Sequence, residues 1–224
     1  MILAAGRGER LRPLTDELPK ALVRAGGKPL IAWHLEHLAA GGCREAVVNV
    51  CHLGERIVDA LGDGGRWGLH IAYSREAEAL ETAGGIAQAL ALLGTEPFLL
   101  VNADIWCDYD FSRLRNFALG TRLSHLVLVP NPPHRPDGDF TLQAGLVGNG
   151  TAPRYTYTGI AVMSPALVAG VPRGTKAPLA PLLREAAGKG LLSGELHDGM
   201  WHDVGTRERL AALETLLASK HENR

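Results

Sequence analysis

From Met1 to Val129 the chain alternates short apolar or β-branched runs with segments whose apolar residues recur at helical spacing. Met1–Ala5, Glu45–Val50, Leu69–Tyr73, Pro97–Val101 and Ser124–Val129 read as strands. Pro29–Ala40, Leu53–Leu61, Thr82–Leu93 and Phe111–Leu119 read as helices. The first of these carries Leu30, Ile31, Leu35 and Leu38 on one face, opens on a proline and closes at Gly41-Gly42. Such alternation implies a parallel sheet, because each helix must carry the chain back before the next strand.

The last third is less regular. Prolines, glycines and Asp-Gly pairs fill Asn131–Pro153, with a hairpin expected around Phe140–Val147. Tyr155–Met163 and His197–Val204 read as strands. Arg207–Leu217 places Leu210, Leu213, Leu216 and Leu217 on one face, as in a terminal docking helix. No internal repeat or low-complexity linker interrupts the chain. The expectation is a single α/β domain over residues 1–224: a Rossmann-like, mostly parallel sheet with helices on both faces and a small β-rich elaboration in the C-terminal third.

The 224 residues suffice for one large core, and 46% of them are hydrophobic. Lys and Arg total 23 against 24 Asp and Glu, so the balance argues against a nucleic-acid binder. No apolar run reaches the length of a membrane span, and charges follow Met1–Ala5 too soon for a signal peptide. Opening directly on Ile2, the first strand is short unless residues precede it. Cys43, Cys51 and Cys107 form no C-x-x-C pair, which points to free thiols in a reducing, cytoplasmic setting. His34 and His37 lie three apart on an expected helix and read as structural, since a zinc site needs more ligands.

The loop after the first strand reads Gly6-Arg-Gly-Glu-Arg-Leu-Arg-Pro-Leu-Thr15, with Lys20 shortly beyond. Glycines let backbone N–H groups close around an anion, and Arg10, Arg12 and Lys20 would neutralise it, so the loop suits a polyphosphate. It is not a P-loop, because no Gly-Lys-Ser/Thr follows. A dinucleotide fingerprint fails at Leu11, where a third glycine belongs, and at Val23-Arg24-Ala25, where a ribose-binding acid belongs. A glycine turn without ligand is the remaining plain alternative.

Asp104 follows the buried run Phe98–Val101, so its carboxylate belongs at the ligand edge of the sheet. Asp203 ends a strand-like run before Gly205-Thr206. Two carboxylates from distant segments suit Mg²⁺, which favours one or two protein carboxylates plus phosphate oxygens. Each could instead be a local turn former. Asp108 and Asp110 read as a solvated loop residue and a helix N-cap. Glu76 and Thr82-Ala-Gly-Gly85 offer a glycine-rich helix start suited to a base or ribose, although Gly84-Gly85 could equally serve tight packing.

Taken together, these blocks resemble the sugar-phosphate nucleotidylyltransferases. The residues that carry the resemblance are Gly6–Thr15, Pro19-Lys20-Ala-Leu22, Lys28-Pro-Leu30, Leu80-Glu-Thr-Ala-Gly84, the Asp104 segment, Tyr157-Thr-Gly159 and Trp201-His-Asp-Val-Gly-Thr206. Glu9, the Leu80–Gly84 block and the compact length are most similar to the subgroup that joins UTP to N-acetylmuramate 1-phosphate. Ala21, Arg24 and Ala103 depart from the pattern. The Glu-Lys-Pro that many relatives use on the sugar phosphate has no counterpart between Phe140 and Arg154.

The resemblance implies cytoplasmic, Mg²⁺-dependent transfer from a nucleoside triphosphate to a sugar 1-phosphate, releasing pyrophosphate during cell-wall sugar recycling. It implies catalytic roles for Arg10 and Lys20, and metal binding by Asp104 and Asp203. It assigns the nucleotide to Ala4, Ala5, Gly6, Gly8, Glu76, Thr82, Ala83 and Asn102. It assigns the sugar phosphate to Lys28, Gly138, Asp139, Thr158 and Gly159. Residues 1–130 become the nucleotide half and 131–224 the sugar half with its C-terminal helix. No nucleic acid or membrane enters the reaction, and nothing in the sequence fixes an oligomeric state. The alternatives are a mannose-1-phosphate guanylyltransferase, a cytidylyltransferase for a small phosphorylated alcohol, or a nucleotide sensor without turnover.

Overall fold

The computed structural model describes residues 1–151 and 153–222, with side chains as far as 219. Among these residues the strands are β1 (Ile2–Leu3), β2 (Arg24–Ala25), β3 (Lys28–Pro29), β4 (Glu45–Val50), β5 (His70–Arg75), β6 (Phe98–Asn102), β7 (Ile105–Cys107), β8 (Ser124–Val129), β9 (Phe140–Gln143), β10 (Leu146–Gly148), β11 (Arg154–Met163), β12 (Leu192–Leu196) and β13 (Trp201–Asp203). The helices are α1 (Leu14–Glu17), α2 (Leu30–Ala40), α3 (Gly54–Leu61), α4 (Glu81–Leu93), α5 (Leu179–Gly188) and α6 (Arg207–Glu222).

Nine strands form one sheet in the order β5-β4-β1-β6-β11-β8-β12-β10-β9. β5, β4, β1 and β6 run parallel, as the alternation requires. β11 is antiparallel to both β6 and β8, while β12 runs parallel to β8. The hairpin β9–β10 closes the far edge, and β9 also pairs with β11. β7–β13 and β2–β3 are separate two-stranded ladders.

Strand alternation sends neighbouring residues to opposite faces. Val48, Val101, Ile160 and Val162 pack beneath α2 and α3, with Ile31, Leu35, Ile57 and Leu61. Val47, Leu100, Ala161 and Met163 pack beneath α4 and α5, with Ile86, Ala89, Leu179 and Leu183. The sheet is therefore covered on both faces, and its core splits into two layers. A third cluster docks α6: Leu213 and Leu217 bury against Val23, Ala25, Leu30, Trp106 and Val204. Each such leucine contributes about 1.5–3 kcal/mol by leaving water. Arg207 Nη2 also donates to Arg12 O at 3.0 Å, which ties α6 to the first loop.

Three expectations need correction. Phe111–Leu119 is not an α-helix; only Phe111–Arg113 forms a 3-10 turn, followed by further turns. Its apolar residues Phe111, Leu114 and Phe117 repeat every three positions, and Leu114 N–H and Phe117 N–H donate to carbonyls three residues back. The strand expected over His197–Val204 is confined to Trp201–Asp203, because Asp198-Gly199 breaks the run. The helix α5 and the strand β12 were not expected. Pro178 and Pro181 obscured α5, yet Pro181 sits in its first turn, where no N–H is needed. Asp108 does lie in an exposed loop, where its Oδ1 accepts the Met200 N–H at 2.8 Å and lies 3.0 Å from His197 Nε2. Asp110 does cap its turn, accepting the Ser112 N–H.

Candidate functional site

The parallel strands turn back at β1: β4 and β5 lie on one side and β6 on the other. At such a switch point the loops leaving the carboxyl ends diverge and open a crevice. A cleft of about 660 Å³ lies there, bordered by Ala4, Ala5 and Gly6 after β1, Asn49 on β4, Glu76 after β5, and Asn102 to Asp104 after β6.

One side chain fixes the base of this cleft. Asn49 Oδ1 accepts the Ala4 N–H at 2.8 Å, and Asn49 Nδ2 donates to Glu76 Oε1 at 2.7 Å. The Leu80 N–H donates to Glu76 Oε2 at 3.0 Å. The buried carboxylate is thereby held in one orientation. Sequence reasoning missed Asn49, although a lone amide in the run Glu45–Val50 was the available signal. A Cβ on Gly85 would lie 2.7 Å from Glu76 Oε1, and one on Gly84 would lie 2.3 Å from Thr175 O. These two glycines therefore serve packing. Ala83 is fully buried and donates its N–H to Ala177 O, whereas Thr82 borders the cleft. Glu81, also at the rim, holds φ +59, a left-handed backbone that a non-glycine residue adopts at a cost.

Lys20 stands on the 3-10 turn Lys20–Leu22, and its side chain is only 10% exposed. Its ammonium is paired with the Asp104 carboxylate at the cleft wall. Gly8 lies behind this lysine at φ +70; a Cβ there would come within 3.0 Å of both Lys20 Cβ and Thr15 Cγ2. Gly8 thus seats Lys20 rather than lining the cleft.

Asp203 reaches the same corner through the β7–β13 ladder, where it faces Ile105. The Val204 N–H donates to Asp104 O at 2.8 Å, so the two acidic residues sit on paired backbone segments. Asp203 Oδ2 accepts from Arg209 Nη1 at 3.0 Å. Its Oδ1 is buried and accepts no aligned hydrogen bond, although His134 Nε2 lies 3.0 Å away. Arg10, His134, Arg135 and Arg209 surround this carboxylate in a pocket of their own. A Cβ on Gly205 would fall 2.0 Å from Arg209 Nη2 and 3.0 Å from Arg10 Nη2, so that glycine admits both guanidinium groups. Asp104 and Asp203 thus lie on adjoining segments, and Asp203 keeps one buried oxygen without an aligned donor. His134, Arg135 and Arg209 had no sequence signal, since only the fold brings them to Asp203.

A second cleft of about 1000 Å³ shares Glu81, Thr82 and Asn102 with the first. Gly159 borders it at φ +85, and the Asn102 amide lies 2.6 Å from where a Cβ would be. Asp139 borders it too, but its Oδ2 already accepts the Tyr157 N–H at 2.9 Å and Arg135 Nη1 at 3.3 Å. Thr158 is buried and turned into the sheet, donating to Val127 O and accepting from Ile160 N–H. Gly138 packs against Asn131 and the Tyr155 backbone. Lys28 reaches neither cleft: it pairs with Glu36 and sits 3.9 Å above the Trp33 ring.

The doubly covered sheet with a crevice at its switch point is the architecture of an α/β protein that takes its ligand at the carboxyl edge of the strands. Residues 1–140 match the family described as nucleotidyl transferase, and the chain belongs to that family. It is 50% identical over 227 residues to the N-acetylmuramate alpha-1-phosphate uridylyltransferase of Neisseria meningitidis serogroup B, covering 96% of each chain. It is 35% identical to the Caulobacter vibrioides protein of the same name, over 97% of this chain and 96% of that one. A putative glucose-1-phosphate thymidylyltransferase from Bacillus anthracis, solved with a sucrose, shares the fold with a TM-score of 0.85 at 20% identity, covering 96% of this chain and 93% of that one.

Proposed function

We propose that the protein joins UTP to N-acetylmuramate 1-phosphate, giving the UDP-sugar and pyrophosphate in the cytoplasm as part of cell-wall sugar recycling, and that residues 1–224 act as a single domain. The observation that carries this reading is the pair of clefts meeting at Glu81, Thr82 and Asn102, with Lys20 and Asp104 on the nucleotide side. Two anionic substrates must meet at one point, and the shared rim is where they would.

In this reading the backbone of Ala4 to Gly6 lines the nucleoside, and the Asn49–Glu76 pair holds that wall. Lys20 and Arg10 neutralise the triphosphate. The phosphate oxygen of the sugar attacks the α-phosphorus in line, and pyrophosphate leaves opposite. That nucleophile is already an anion near neutral pH, so no general base is required. The chain's task is to align two groups that repel and to offset the charge that develops. Asp104 and Asp203 would hold Mg²⁺, which supplies positive charge to the phosphate oxygens when bound. Arg135 borders both the Asp203 corner and the sugar cleft, so it takes the place of the family's usual lysine on the sugar phosphate.

The test is pyrophosphate release across the four nucleoside triphosphates and a panel of sugar 1-phosphates, with and without Mg²⁺. Fastest release with UTP and N-acetylmuramate 1-phosphate, dependent on Mg²⁺, is expected. A clear preference for GTP with mannose 1-phosphate would overturn the substrate assignment. Nucleotide binding without release from any pair would make the protein a sensor.

A further inference from the structure

The sugar cleft holds polar groups that the reaction itself does not use. Arg184 projects from α5 into this cleft and lines neither the nucleotide cleft nor the Asp203 corner. Its side chain is exposed to the cleft, and only its backbone carbonyl is engaged, by Asn149 Nδ2 at 2.7 Å. Arg135, by contrast, is paired with Asp139. Arg154 does not line this cleft, and its Nη2 donates to the Asp139 carbonyl at 2.7 Å. Arg184 is thus a cation of this cleft with no partner for its guanidinium among the described residues.

Tyr157 gives an independent sign of a missing partner. It borders the same cleft, and its hydroxyl is buried without a hydrogen bond. An unpaired buried hydroxyl is costly, and a ligand oxygen that reached it from the cleft would relieve that cost. Burial, with the nearby Asp139 charge adding to it, pushes the phenol up. The group therefore stays protonated and offers a donor. The first turn of α5, Leu179 and Ala180 with Pro178 before it, lines this cleft as well, and no side chain caps it. Its free N–H groups favour negative charge. All three features suit an anionic oxygen ligand in the part of this cleft lined by α5.

We propose that the cleft between α5 and β11 is a second anion subsite, in which Arg184 and the Tyr157 hydroxyl read a carboxylate borne by the sugar. This rests on the substrate reading above, because N-acetylmuramate differs from N-acetylglucosamine by a carboxylate-bearing ether substituent. A guanidinium fork matches a carboxylate in two parallel hydrogen bonds, which a neutral hydroxyl at that position cannot supply. Selectivity then comes from the charge-assisted pair that only the carboxylated sugar forms.

The experiment compares kcat/KM for N-acetylmuramate 1-phosphate and N-acetylglucosamine 1-phosphate, each with UTP. Wild type favours the carboxylated sugar. In Arg184→Gln the ratio of the two kcat/KM values falls about ten-fold or more, through KM for the carboxylated sugar. Arg184→Lys restores part of it, and Tyr157→Phe moves the ratio the same way by a smaller factor. Equal losses on both sugars, or a ratio that Arg184→Gln leaves alone, would overturn the proposal. A wild-type enzyme that turns over neither sugar would defeat the substrate reading instead. Calorimetric binding of both sugar phosphates to wild type and Arg184→Gln then decides the subsite, and equal binding in all four titrations rejects it.

Discussion

Asn49 donates its amide to Glu76 across 2.7 Å while accepting the Ala4 N–H, so one side chain couples the first loop to the wall of the nucleotide cleft. Replacing Asn49 by Leu leaves Glu76 Oε1 and the Ala4 N–H unpaired, while Glu76 Oε2 keeps the Leu80 N–H. The expected cost is about 1–3 kcal/mol in urea unfolding, with a raised KM for the nucleoside triphosphate. Unchanged values for both would mean that water replaces the amide without loss.

Lys20 is the cation best sheltered from solvent in the cleft, and it faces Asp104. Lys20→Ala is expected to lower kcat by about 10²–10³, the range for removing one group that offsets transition-state charge. Single-turnover kinetics at saturating substrates provide the check. A loss confined to KM would show that Lys20 acts on ground-state binding alone.

Asp203 has two structural partners, Arg209 and His134, besides its place beside Asp104. Asp203→Asn preserves an acceptor for Arg209 and removes the charge. The Mg²⁺ concentration for half-maximal activity is expected to rise about ten-fold or more, while the melting temperature stays near that of wild type. If the melting temperature collapses and Mg²⁺ dependence does not move, Asp203 is a brace for α6 and nothing more.

His34 is buried, its Nε2 lies 2.8 Å from Ile105 O, and burial lowers its pKa from 6.5 to about 4. The unfolded chain therefore binds a proton between those values that the folded chain refuses. Stability from this group is present in full above pH 6.5 and is lost as pH falls toward 4. The loss amounts to about 3 kcal/mol at most. His34→Gln keeps a donor for Ile105 O and should flatten that part of a denaturation series run from pH 7 to pH 4. An unaltered pH profile would assign the acid sensitivity to other groups.

Much of the parallel half was legible in the sequence, and the reason is local. Glu45–Val50 and Ser124–Val129 fall on β4 and β8 residue for residue, because β-branched and apolar runs this short have one way to be buried on both faces. Asp104 was legible as a cleft residue because it follows β6 at the edge where such sheets bind ligands, and Lys20 because it closes the glycine loop that leaves β1. The helix α5 was hidden by two prolines, and the turns after Phe111 were hidden by a spacing that suits three residues per turn as well as it suits an α-helix.

The sequence alone determined the parallel half of the covered sheet, the loop with its cations and the acids at 104 and 203, because each is written in a contiguous run. The tertiary structure decided which groups share a site. Asn49 lies on β4 and Glu76 beyond β5, and they meet because those strands pair in parallel register. His134 and Arg209 close on Asp203 from a loop and from α6, and Arg184 reaches the sugar cleft from a helix the sequence did not announce. It also set Gly8, Gly84 and Gly138 to packing and Lys28 against Trp33, since a glycine or lysine in a motif does not itself record what stands beside it. Such contacts depend on the distance between segments in space, which no local spacing encodes.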